Sequence, residues 1–137
     1  MKISGGVSII GGLDDWFVSK LQGLEYKPET IAYVAGVLKT LAHPSSNDAF
    51  EQRSIVLAYA DARLSGDFIK FQRIGDYVLW AETIIPESIA LDREVVVTIG
   101  KLSYYTCYRL TQRSWPVYVE LAEQLPAISA AARKRLI

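Results

Sequence analysis

The stretch Glu94-Val95-Val96-Val97-Thr98-Ile99-Gly100-Lys101-Leu102-Ser103-Tyr104-Tyr105-Thr106-Cys107-Tyr108-Arg109-Leu110 decides the fold. Residues 94–99 are rich in β-branched side chains, which favour a strand. The run nevertheless reaches Leu110 with Gly100 as its only breaker, and on a helical period Val95, Ile99, Leu102, Thr106 and Leu110 fall on one side. A helix is predicted, because a lone strand would find no partner in a chain that otherwise reads as helical. Opposite that stripe run Val97, Lys101, Tyr104 and Tyr108, with Tyr105 beside them. A helix that is apolar or aromatic nearly all round is either central in its bundle or offers one side to a partner.

The flanking sequence supplies the bundle. Upstream, Ser65-Gly66-Asp67 reads as a turn and cap before a helix from about Phe68 to Ile85, stopped by Pro86. Before it, Ser45-Ser46-Asn47-Asp48 reads as a capping box for a helix running to about Leu64. Pro28 and Glu29 open another helix, with Ile31, Val34, Ala35, Leu38, Leu41 and Ala42 on one stripe, ended by His43-Pro44. A first short helix is capped by Asp14 or Asp15, carries Trp16, Phe17, Leu21 and Leu24, and ends at Gly23. Downstream, Ser114-Trp115-Pro116 opens a last helix whose stripe, Val117, Leu121, Leu125, Ile128, Ala132 and Leu136, continues past a kink at Pro126. The expected fold is all-α: a single-domain bundle of about six helices over residues 13–137, with a Gly-rich flexible arm or short strand over residues 1–12.

Composition narrows the function. The chain has 137 residues, 15 Lys+Arg against 15 Asp+Glu, one His and one Cys. A chain of this size buries a sufficient core without staples. Zero net charge and the lack of a dense basic run before Arg133-Lys134-Arg135 argue against a nucleic-acid partner. Cys107 cannot form an intrachain disulfide, and one Cys with one His cannot build an all-Cys/His metal site, so no cofactor is expected and a cytoplasmic setting fits. The longest N-terminal apolar run, Val7 to Ile10, is too short for a signal core, and no stretch is long enough for a membrane span, so no membrane association is expected.

Chemistry is sparse. Residues 1–12 match neither GxGxxG nor GxxxxGK[ST], so the glycines are not a phosphate loop. No GxSxG elbow, Ser-x-x-Lys or kinase signature occurs. His43 reads as a helix C-terminal residue, with no Glu three residues before it. Cys107 reads as a packing residue, spaced with Gly100 and Ser103 to let another helix approach. The candidate buried carboxylates are Asp61, which falls on the stripe of Phe50, Leu57 and Leu64, and Glu82, at the edge of the face set by Phe71, Ile74, Val78, Ala81 and Ile85. Asp76 falls on the polar side with Gln72 and Thr83. A buried carboxylate needs an Arg or Tyr partner or a raised pKa, and Arg63, Arg73, Arg93, Arg109, Tyr77, Tyr105 and Trp80 lie in this half of the chain. It is either a structural ion pair or a pocket acid/base. The candidate interface or pocket aromatics are Tyr104, Tyr105 and Tyr108.

The arrangement Gly75-Asp76-Tyr77, then Ile84-Ile85-Pro86-Glu87-Ser88, then Tyr104-Tyr105 resembles a loose group of uncharacterised bacterial proteins, in which a Gly-Asp and a hydrophobic-Pro-Glu flank a helix that precedes a tyrosine-bearing one. The likeness covers about a third of the chain, and it implies a helical fold and no activity. Taken together, the residues lead to the expectation of a non-catalytic interaction protein, a homodimer through the 95–110 helix or the binder of a macromolecular partner. The alternative is a small-molecule binding protein or unfamiliar enzyme with its site between the third and fifth helices.

Overall fold

The computed structural model describes residues 16–42, 54–88 and 92–137. The Gly-rich residues 1–12, the Asp14 or Asp15 cap, His43, the Ser45 capping box and Phe50 lie outside the described residues. Among the described residues there are six α-helices and no strand: α1 (residues 16–21), α2 (Pro28–Leu41), α3 (Ser54–Ser65), α4 (Phe68–Ile84), α5 (Arg93–Leu110) and α6 (Pro116–Leu136). A single 3-10 turn, Pro86–Ser88, separates α4 from α5. The β-branched run 94–99 is thus helical, as its longer periodicity predicts. None of the described helices is long and apolar enough to cross a membrane.

The ends of the helices follow from local chemistry. Pro28 and Pro116 occupy first-turn positions, where a missing N–H leaves nothing unsatisfied. Asp67 caps α4 by accepting from the Ile69 N–H at 2.9 Å, and Asp92 caps α5 through Glu94 N–H at 2.9 Å. Gly23 turns the chain after α1 with φ +88°, which a side chain would resist. Helix α6 runs on through Pro126.

Helix α4 is the centre. It packs against α2, α3, α5 and α6, and every residue from Tyr77 to Thr83 is buried. Helix α5 packs on α4 and α6 through Val96, Ile99, Gly100, Ser103, Tyr104 and Cys107. That is a correction to the expected stripe: Val95, Leu102 and Leu110 are 46%, 44% and 45% exposed, and only Ile99 of its large members faces the core. The reason is packing. A Cβ on Gly100 would lie 2.7 Å from Val78 Cγ1 and 2.9 Å from Leu125 Cδ2, so the small-residue face brings α5 closer to both neighbours than a branched stripe could. Gly100 therefore serves the close approach that its spacing suggested.

The stripe expected on α3 is also turned outward. Leu57 and Leu64 are 73% and 90% exposed, while Ile55 and Ala62 enter the core. Apolar residues lie nearly all round α3, so the seven-residue spacing of its leucines marked a face without marking the inner one.

Candidate functional site

Asp61 lies on the outward side of α3 and is not buried. Its side chain is 64% exposed and pairs with Lys70 at 2.7 Å across the Ser65-Gly66-Asp67 turn. Asp61 shares the stripe of Leu57 and Leu64, and because that stripe faces outward the carboxylate does too. Glu82, by contrast, is buried, and its carboxylate is 1% exposed. Arg93, in the first turn of α5, grips it with Nε at 2.9 and 3.1 Å from its two oxygens and Nη2 at 2.7 Å from Oε1. This bidentate pair satisfies the carboxylate and ties the last turn of α4 to the start of α5. Asp61 faces the first turn of α4 and Glu82 sits in its last, so the two carboxylates share no site.

The tyrosines divide. Tyr104 is fully buried in the core, which removes it from any surface; Tyr108 is half-buried, and Tyr105 is 43% exposed. Tyr104 therefore does not share a surface with Tyr105 and Tyr108, and its hydroxyl has a partner inside.

That partner is Asp76, the centre of a polar cluster drawn from four helices. Tyr104 on α5 and Tyr33 on α2 each donate a hydroxyl to the same oxygen, Asp76 Oδ1, at 2.7 Å. Tyr118 on α6 completes a triangle of rings, edge-on to Tyr33 at 5.6 Å and stacked on Tyr104 at 6.2 Å. Gln72, one turn before Asp76, donates to the Tyr118 hydroxyl at 2.9 Å. Gly75 makes the cluster possible: a Cβ there would stand 2.8 Å from the Tyr104 ring. The Gly75-Asp76 pair and Tyr104 are thus one device, the glycine admitting the ring and the carboxylate receiving its hydroxyl.

The electrostatics follow from exclusion of water. Burial pushes the Asp76 carboxyl up to about 6, against the pull of its two hydroxyl donors. Burial first, and then the Asp76 charge, hold the Tyr33 and Tyr104 hydroxyls well above the ordinary tyrosine range. The Cys107 thiol is raised to about 12 by the same two causes, so it stays protonated and poorly nucleophilic near neutrality. The cluster can take up or release one proton near pH 6, and the rings of Tyr33, Tyr104 and Tyr118 pack on one another around it. Two cavities bounded by described residues lie elsewhere, on the α6 side. One is a shallow groove of about 480 Å³ lined by Gly23, Tyr26, Glu120 and Gln124, and the other a void of about 10 Å³ beside Thr30 and Ile128. Neither is lined by Asp76, Glu82 or a tyrosine of α5.

Sequence reasoning missed Asp76 and Tyr33. A helical projection of α4 alone puts Asp76 on the polar side; the available signal was the adjoining Gly75, a glycine inside a helix and next to a carboxylate. No family model matches the chain, and neither a curated protein nor a solved structure matches it. The resemblance over Gly75-Asp76 to Tyr104-Tyr105 accordingly adds only the helical fold, which the structure shows directly.

Proposed function

We propose that the protein is a non-catalytic interaction module that self-associates through the outer face of α5. The observation that carries this reading is the row Val95, Leu102 and Tyr105, each more than two-fifths exposed, on a helix whose opposite face is packed with small residues against α4 and α6. Such a row is apolar area that a second copy can remove from water, with a tyrosine to supply a polar tip. Charge favours an isologous, antiparallel pairing. With the two-fold axis near Leu102, the exposed Glu94 of one copy comes opposite the exposed Arg109 of the other, and Leu102 meets its own counterpart. The ring-packed Asp76 cluster, whose hydroxyls already have partners, and the absence of Asp76 and Glu82 from the lining of the two described cavities weigh against the small-molecule alternative.

Analytical ultracentrifugation over a wide concentration range tests the reading. A dimer is expected at high micromolar concentration, and Leu102→Glu should return it to monomer, with a melting temperature equal to that of wild type at low concentrations where both are monomeric, because the residue is outside the core. A wild-type chain that stays monomeric throughout overturns it.

A further inference from the structure

One end of the bundle carries a second apolar patch with a different chemistry. Helices α4 and α5 run antiparallel across a short connection, and α6 starts where α5 ends, so the α3–α4 and α5–α6 turns meet at the same end. Ring contacts confirm it: Phe68 lies 5.8 Å and Trp115 lies 6.2 Å from Tyr118. Gathered there are Leu64, Ile69, Leu110 and Trp115, exposed by 90%, 48%, 45% and 56%. Exposed cations border them on both turns: Arg63 and Arg73 on the α3–α4 side and Arg113 on the α5–α6 side. The nearby carboxylates, Asp61 paired with Lys70 and Asp67 capping α4, keep their charge but are outnumbered by Arg63, Lys70, Arg73 and Arg113. In a chain with no net charge, this end is locally positive.

From this juxtaposition we infer that the α3–α4 and α5–α6 turns form a peripheral docking surface for an anionic lipid bilayer. A second copy is a poor occupant, since a two-fold contact here would set arginines against arginines. The apolar residues stand on the two turns and the helix ends beside them, and neither of the two cavities described above lies among them. A bilayer deforms around such ends: leucine, isoleucine and tryptophan enter the interfacial layer while arginines meet lipid phosphates. The contact is superficial and reversible. It involves no spanning segment and takes from α5 only Leu110, at the helix end, so it is tested apart from the self-association proposed above through Val95, Leu102 and Tyr105.

Co-sedimentation with vesicles tests the surface. The protein is mixed with phosphatidylcholine vesicles, with vesicles in which about a third of the lipid is phosphatidylglycerol, and with soluble polyglutamate as the acidic-polymer control. Binding to the anionic vesicles is expected, at least about tenfold weaker to neutral ones and strongly reduced at high salt. Arg73→Glu with Arg113→Glu, and separately Leu64→Ser with Trp115→Ser, should each weaken it by about tenfold while circular dichroism shows unchanged melting. Quenching of tryptophan emission by brominated lipid should disappear in Trp115→Phe, a readout that a folding defect elsewhere would not imitate. The inference is overturned by equal affinity for neutral and anionic vesicles, or by wild-type binding in both double variants. No binding to vesicles overturns it as well, and if polyglutamate alone then binds at this end, the partner is an acidic protein instead.

Discussion

A carboxylate that receives two tyrosine hydroxyls on one oxygen is well held but still deprived of water, and at Asp76 the deprivation wins, lifting its pKa to about 6. The folded chain therefore binds this proton more tightly than the unfolded chain does. The stability that protonated Asp76 contributes is fully present below the ordinary carboxyl pKa near 4 and is lost as pH rises through about 6. A shift of this size corresponds to roughly 2–3 kcal/mol. Asp76→Asn keeps an oxygen for both hydroxyls and is neutral at every pH. Wild type and variant should melt together at pH 4, with the variant pulling ahead by several degrees at pH 8; parallel curves across that range would refute the electrostatic account. None of this was legible in α4 alone, because the partners that make Asp76 an inner residue, Tyr33 and Tyr104, stand 43 and 28 residues away in the chain. Glu82 was legible: its position at the edge of a strong apolar face survives folding, and Arg93 lies just beyond Pro86 in sequence.

For whole elements, helix existence could be read with ease and helix rotation could not. Prolines at 28, 86 and 116 and the carboxylate cap at Asp67 act on neighbouring backbone, so their effect is local and readable. Which side of α3 or α5 turns inward depends on the shapes of the helices it meets. On α5 the choice falls to Gly100, Ser103 and Cys107, residues that a search for large apolar side chains passes over. The glycines separate the two influences. Gly36 has nothing within 4 Å of a Cβ position, so Gly36→Ala in α2 should stabilise by about 0.5–1 kcal/mol through helix propensity. Gly75→Ala would press on the Tyr104 ring and Gly100→Ala on Val78 and Leu125, all at under 3 Å. Each should cost about 1–3 kcal/mol in urea denaturation despite the same gain in propensity. If all three alanine variants stabilised alike, close packing would not be what sets the rotation of α4 and α5.

For the whole molecule, the last turn of α6 acts as a clasp on two distant parts of the chain. Arg133 donates to the Thr83 and Ile84 carbonyls at 3.0 Å each, satisfying the C-terminal end of the central helix α4. Arg135 donates to the carbonyls of Lys20 and Gln22, at the end of α1. The basic residues near the C-terminus thus serve carbonyl groups elsewhere in the fold as well as their own helix dipole. The two arginines should differ in reach because the elements they hold differ in cooperativity. Helix α4 touches four others, so Arg133→Ala should lower global stability by about 2 kcal/mol, the scale of losing hydrogen bonds from a charged donor. The described part of α1 buries chiefly Phe17 and Leu21, few anchors beside those of α4, so it is expected to open before the rest. Arg135→Ala should therefore leave the denaturation midpoint nearly unchanged while amide exchange across residues 18–22 speeds up by about fivefold, with α4 amides unaffected. Uniform acceleration across both helices in Arg135→Ala would mean that α1 unfolds only with the core, and the clasp would then hold one cooperative unit instead of two.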